Sequence, residues 1–177
     1  MTIEDNLEIH YKDINPGANC VELKVTEDLF SYTHAIKAAL RQNPQWVLLS
    51  EARSVEVKYL IECFSTGLHG LTTLHTDDTR KIPDRIKNMM QDAYAASRME
   101  NDIYGFLNVG VLLRKKATGN GKVIRKVEQI CLFDRVENEN VAYLLVENGK
   151  LVSKEVSNNL LSKFKRENIT DPFQEGI

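Results

Sequence analysis

Apolar positions in the first half of the chain alternate between short unbroken runs and stretches that recur every three or four residues. CVELKV (20–25) is a short β-rich run. DLFSYTHAIKAALRQN (28–43) then places Leu29, Tyr32, Ile36, Ala39 and Leu40 on one helical face, with Thr26 or Asp28 as the N-cap. It stops at Asn43, because the residue before proline is pushed out of the α region. QWVLLS (45–50) is apolar without alternation and runs into Glu51, as expected of a strand covered on both faces in a parallel sheet. Ser54 can cap the next helix, VEVKYLIECFST, which ends at Gly67, and GLTTLH (70–75) is a further short β-rich run. IPDRIKNMMQDAYAASRME (82–100) reads as one helix with Pro83 in its first turn. Strand and helix alternating three times predicts right-handed crossovers and a parallel α/β sheet.

From residue 107 the pattern changes. LNVGVLLRKK, KVIRKVEQICLF and VAYLLVENGKLVS read as successive strands, joined by ATGNG and RVENEN, and predict an antiparallel meander. A terminal helix over roughly 157–167 gathers Leu160, Leu161 and Phe164 opposite lysines, and ITDPFQEGI reads as irregular. The predicted organisation is an α/β portion over 1–106 and an antiparallel meander with a terminal helix over 107–177.

Composition narrows the classes of function. With 42% hydrophobic and 27% charged residues, the 177-residue chain has the make-up of a folded protein, one ordinary domain or one with a small appendage. A net charge of -2 excludes a surface that is basic all over, and RKK (114–116) and KFKR (163–166) read as solvated faces. Three cysteines far apart, with no CxxC pair, offer no disulfide framework and suit a reducing compartment. No apolar run approaches the ~20 residues of a membrane-spanning helix. MTIEDNLEIH is acidic and lacks the basic and apolar regions of a signal peptide, so the cytoplasm is the expected location.

Several short segments carry candidate chemistry. ATGNGKV (117–123) superficially suggests a phosphate loop, but the position five before Gly121 is Lys116 and Val123 stands where a hydroxyl residue is needed. Its place between two strands predicts a hairpin turn. Glu51, at the C-terminal end of an apolar strand, lies where α/β sheets bind ligands, and such an acid can order Mg²⁺ or activate water. TIEDNLEI gathers Glu4, Asp5 and Glu8, either as a solvated acidic turn or as part of a site if a strand there lies beside the one ending at Glu51. In STGLHGLTTLHTDD (65–78), His69 reads as a helix C-cap and His75 as a strand-end imidazole able to donate to phosphate. A zinc site built from these histidines, Asp77 and Asp78 lacks a standard ligand spacing.

In order and spacing, TIEDNLE, ALRQNPQWVLLSEARS and TGLHGLTTLHTDD resemble the Asp box, Walker B segment and His box of the type II and type IV secretion, pilus and conjugation motor ATPases. IPDRIKNMM and GKVIRKVEQI continue the likeness, which covers residues 2 to about 134. The stretch from TIED to CVELKV looks more like the Flp/Tad branch, and the ungapped TGLHGLTTLH more like the type II branch. The resemblance implies a RecA-like sheet with helices on both faces, incomplete here, and Glu51 as the Walker B acid. It implies Glu4 and Asp5 as acids acting on Mg²⁺ or its waters, His75 as a γ-phosphate sensor, Arg53 following the Walker B acid, and Arg41 at a subunit interface. Ser50 and Ser54 depart from the family pattern, Leu68 stands where a histidine is common, and the four-cysteine zinc element is absent. No Walker A loop occurs in the 177 residues. The resemblance therefore implies the C-terminal part of an ATP- and Mg²⁺-dependent motor, inactive alone. The whole protein would form a hexameric ring at the cytoplasmic face of an inner-membrane platform protein, without direct nucleic-acid contact. Two alternatives remain at this point: a truncated, non-catalytic paralogue that joins a ring, and a metal-dependent hydrolase using His69, His75, Asp77 and Asp78.

Overall fold

Four short strands lie parallel in the order β2-β1-β3-β4: β1 (Thr2–Glu4), β2 (Glu22–Lys24), β3 (Trp46–Leu49) and β4 (His69–Thr72). The computed structural model describes residues 1–26, 28–119 and 121–174. The chain divides spatially into Met1–His75 with Ile86–Met99, and Thr76–Arg85 with the residues from Glu100 onward. The parallel sheet belongs to the first unit.

A one-turn helix, α1 (Tyr11–Ile14), lies between β1 and β2 in sequence, α2 (Tyr32–Gln42) between β2 and β3, and α3 (Glu56–Ser65) between β3 and β4. All three side chains of β1 are buried, as are Val47 and Leu49 of β3. α2 contributes Tyr32, Ala35, Ile36 and Ala39, and α3 contributes Val57, Leu60, Ile61 and Cys63. Neither Thr26 nor Asp28 caps α2. Thr26 bridges back to Phe30, which turns the chain before the helix, and Ser31 Oγ accepts from the His34 amide. Leu29, assigned to the apolar face by spacing, therefore lies outside the helix and is 86% exposed. Gly70 is closely packed: a Cβ there would overlap the Phe64 ring, which would have to shift, and would sit 3.0 Å from the Val47 carbonyl oxygen.

The single helix expected over 82–100 is two, α4 (Ile82–Met89) and α5 (Ala93–Phe106). Gln91 takes a left-handed φ of 55°, and the Asp92 carboxylate accepts from the Tyr94 and Ala95 amides to start the second helix. The break escaped the periodicity because Asp92 is polar and its capping bonds are local.

In the second unit β5 (Val109–Ala117), β6 (Val123–Val136), β7 (Glu139–Glu147) and β8 (Lys150–Leu151) form an antiparallel meander. Glu137-Asn138 and Asn148-Gly149 supply consecutive positive φ angles, the geometry of two-residue hairpins. The second of these divides VAYLLVENGKLVS into two strands. Thr118 and Lys122 close the turn between β5 and β6, so ATGNGKV is a hairpin; its Asn120 lies outside the described residues. Phe133 and Cys131 are fully buried, and Gly110 lies against Phe133 and Ile82. Thr79, in a 3-10 turn (Thr79–Lys81), donates its amide and hydroxyl to the Gln129 side-chain oxygen at 2.9 and 3.2 Å. The terminal helix α6 (Asn158–Arg166) puts Leu160 against Leu132 and Leu145, with Phe164 alongside.

Candidate functional site

β1, β3 and β4 are parallel, so the residues following them emerge at the same edge of the sheet. Backbone bonds tie these exits together. The Ser50 amide donates to Ile3 O at 3.0 Å, and the Ala52 amide to Thr73 O at 2.9 Å. Thr73 Oγ1 donates to Ser50 O at 2.7 Å. From α2, the Tyr32 hydroxyl accepts from the Asp5 amide and meets Ser50 Oγ, both at 3.1 Å. Ser50 thus links three elements here.

On this clamped edge four charged or titratable side chains form a row. Arg53 Nη1 donates to Asp5 Oδ2 at 2.9 Å and Arg53 Nε to Glu51 Oε2 at 2.6 Å. His75 Nε2 lies 3.1 Å from the other oxygen, Glu51 Oε1. Glu51 is the sheltered member, its side chain 20% exposed, whereas the His75 imidazole is 89% exposed. Hydrogen bonding to Glu51 foremost raises the Arg53 pKa above its ordinary value; desolvation opposes it, and the hydrogen bond to Asp5 and the charges of both carboxylates add to the rise. Desolvation alone would push Asp5 upward; hydrogen bonds from Tyr32, the Asn6 amide and Arg53 outweigh it and leave the carboxyl below its ordinary value. The row offers a carboxylate, an obligate cation and an open imidazole, the groups needed to orient water and meet an anionic oxygen.

Residues 1–143 match the family described as type II/IV secretion system protein. The chain belongs to this family. Relatives include an uncharacterized protein of Bacillus anthracis, 33% identical over 131 residues, which cover 71% of this chain and 30% of that protein. The type IV pilus retractation ATPase PilT of Pseudomonas aeruginosa is 25% identical over 129 residues, covering 70% of this chain and 36% of PilT. This secretion-system chain therefore spans about a third of the length of these relatives. Its fold matches the crystal structure of the Legionella pneumophila ATPase DotB with a TM-score of 0.65 at 21% identity, over 75% of this chain and 36% of DotB.

Two groups that support the row in this secretion-system protein were not singled out by sequence. Glu56, buried in the first turn of α3, accepts from the Arg53 amide at 2.6 Å and the Ser54 amide at 2.8 Å. It therefore holds the backbone that carries Arg53. Ser54 does not cap α3; its hydroxyl accepts from Gln91 Nε2 at 3.1 Å. The available signal for Glu56 was an acid in a helix first turn, where orphan amides and the helix dipole favour negative charge. Tyr32 carried no such signal, because helical spacing assigned it to the core.

The remaining sequence candidates do not join the row. Glu4 is buried, and its Oε2 accepts from the Glu8 and Ile9 amides at 2.8 and 2.9 Å, shaping the loop after β1. Arg41 is exposed in the last turn of α2, which leads to the opposite end of β3 from Glu51. His69 is the first residue of β4 rather than a helix cap, and its ring lies 5.1 Å from Trp46. It too sits at the opposite strand end from His75. Asp77 pairs with Lys81 at 3.0 Å, and Asp78 with Arg80 at 2.6 Å. Among the described residues no group of three His, Cys, Asp or Glu is arranged to hold a metal ion.

Proposed function

We propose that this chain carries the acid and histidine side of the nucleotide site of a secretion or pilus-assembly motor ATPase. The observation that supports it is the row Asp5–Arg53–Glu51–His75 at one edge of a parallel sheet in a chain of this family. ATP bound with Mg²⁺ would supply the phosphoryl group and the charge that the site must neutralise. Glu51 then orients the attacking water as the Walker B acid, and the exposed imidazole of His75, as the His-box residue, donates toward phosphate. Arg53 can exchange a carboxylate for a phosphate oxygen, since its planar donor fork suits both. Asp5 would act on Mg²⁺ or its waters, while Glu4 acts through the loop it holds, and Arg41 is left to a subunit contact. Hexameric assembly, an inner-membrane platform protein as partner and a position at the cytoplasmic membrane face form part of the same proposal.

The 177 residues contain no G-x-x-x-x-G-K-[ST] sequence, whose lysine and backbone amides would cradle the phosphates. Slight hydrolysis by this chain alone is therefore expected. A turnover assay should include the chain alone and the chain fused behind the Walker A-bearing part of a full-length relative. The fusion should hydrolyse ATP, and Glu51→Gln should reduce turnover by about 100-fold or more with nucleotide binding retained. Robust turnover by the chain alone, or turnover indifferent to Glu51→Gln, contradicts the assignment. A fusion that binds nucleotide but never turns over favours the ring-joining, non-catalytic reading.

A further inference from the structure

The distal part of the β5–β6 hairpin concentrates charge. Arg114, Lys115, Lys116, Lys122, Arg125 and Lys126 lie within residues 114–126, which contain no acid, in a chain whose net charge is -2. Pairing sets like charges face to face: Arg114 lies opposite Lys126, and Lys115 opposite Arg125. Such cross-strand pairs disfavour the hairpin unless something neutralises them. Glu128 does so for one pair, at 3.4 Å from Arg114 and 3.8 Å from Lys126. Among the described residues Lys115, Lys116, Lys122 and Arg125 have no carboxylate within ion-pair distance, and all four are exposed.

Apolar side chains stand exposed between the cations: Leu113 at 63%, Val123 at 55% and Ile124 at 50%. Pairing places Leu113, Lys115, Arg125 and Val123 on one face and Arg114, Lys116, Ile124 and Lys126 on the other. Both faces of this end of the hairpin are thus mixed cationic and apolar. Residues 109–127 include no aromatic on which a nucleic-acid base could stack. Cations that meet phosphate headgroups, beside aliphatic side chains that enter the interfacial layer, match a lipid surface better.

We propose that the β5–β6 hairpin docks on an anionic lipid bilayer surface. The proposal is independent of the nucleotide site. Its test is co-sedimentation of the 177-residue chain with phosphatidylglycerol-containing vesicles and with pure phosphatidylcholine vesicles across a salt series. Binding to the first and not the second, weakening as salt rises, is expected. Lys115→Glu should weaken binding by at least about tenfold while leaving thermal stability equal or higher, because the introduced carboxylate would face Arg125 across the hairpin. Leu113→Ser with Ile124→Ser should weaken binding without changing charge. Equal binding to phosphatidylcholine, undiminished binding of Lys115→Glu, or preference for a DNA duplex over the anionic vesicles would overturn the proposal.

Discussion

Arg53 stands between Asp5 and Glu51, so the charge it neutralises can be read from Asp5. In Arg53→Ala the Asp5 carboxyl loses two of the interactions that lower its pKa, one hydrogen bond and one charge. Its pKa should rise toward the ordinary value of about 3.9, followed by carboxyl chemical shift against pH in nuclear magnetic resonance spectra. An unchanged value would mean that Tyr32 and the Asn6 amide suffice. The sign for stability follows from linkage. A lowered folded-state pKa contributes stability above the unfolded value, lost as pH falls through the folded value. The advantage of the native protein over Arg53→Ala should therefore be present at neutral pH and shrink below about pH 4. At this scale the acids and His75 were legible, because a titratable residue just past an apolar run signals a strand-end site. Which acid faces outward was not: Glu4 and Asp5 are adjacent, and only the loop amides of Glu8 and Ile9 claim Glu4.

α6 shows how one buried group can fix an element. Asp134 on β6 is 1% exposed; it accepts from Ser157 Oγ at 2.5 Å and Asn159 Nδ2 at 2.8 Å, with Lys163 Nζ 3.7 Å away. Ser157 is also the N-cap, its Oγ accepting from the Leu160 amide. Removing the carboxylate leaves several donors without an acceptor. Asp134→Ala is expected to cost on the order of 3 kcal/mol in urea unfolding and to speed amide hydrogen exchange at Leu160 and Leu161. Equal stability of mutant and native protein would show that the Leu132, Leu145 and Leu160 packing holds α6 alone. The helix itself was legible from Leu160, Leu161 and Phe164 at helical spacing. Its anchor was not, because Asp134 lies 23 residues before Ser157. The break between α4 and α5 was missed for the complementary reason: the apolar period continues across it while one left-handed residue redirects the backbone.

Across the whole molecule, the three cysteines report how unevenly the chain is shielded. Cys63 and Cys131 are fully buried, and burial foremost raises each thiol to about 11, whereas Cys20 is partly exposed. The thiolate is the reactive form. A maleimide at neutral pH should therefore label Cys20 in the native protein and all three after unfolding, counted by mass spectrometry. Rapid native labelling of Cys63 would show that α3 opens. The linear order of elements was readable at this scale, but the spatial grouping was not, since Thr76–Arg85 belongs with the meander while Ile86–Met99 belongs with the parallel sheet. By itself the sequence determined the local matters: periodicities, a parallel sheet followed by an antiparallel one, and candidate acids and histidines at strand ends. These follow from side-chain spacing along a few consecutive residues. Tertiary structure alone decided which of those groups meet. Asp5 and Arg53 are 48 residues apart in sequence, yet parallel pairing of β1 and β3 carries both to one edge. The same pairing sends Arg41 and His69 to the other end, because consecutive parallel strands must return through helices to the edge where they began.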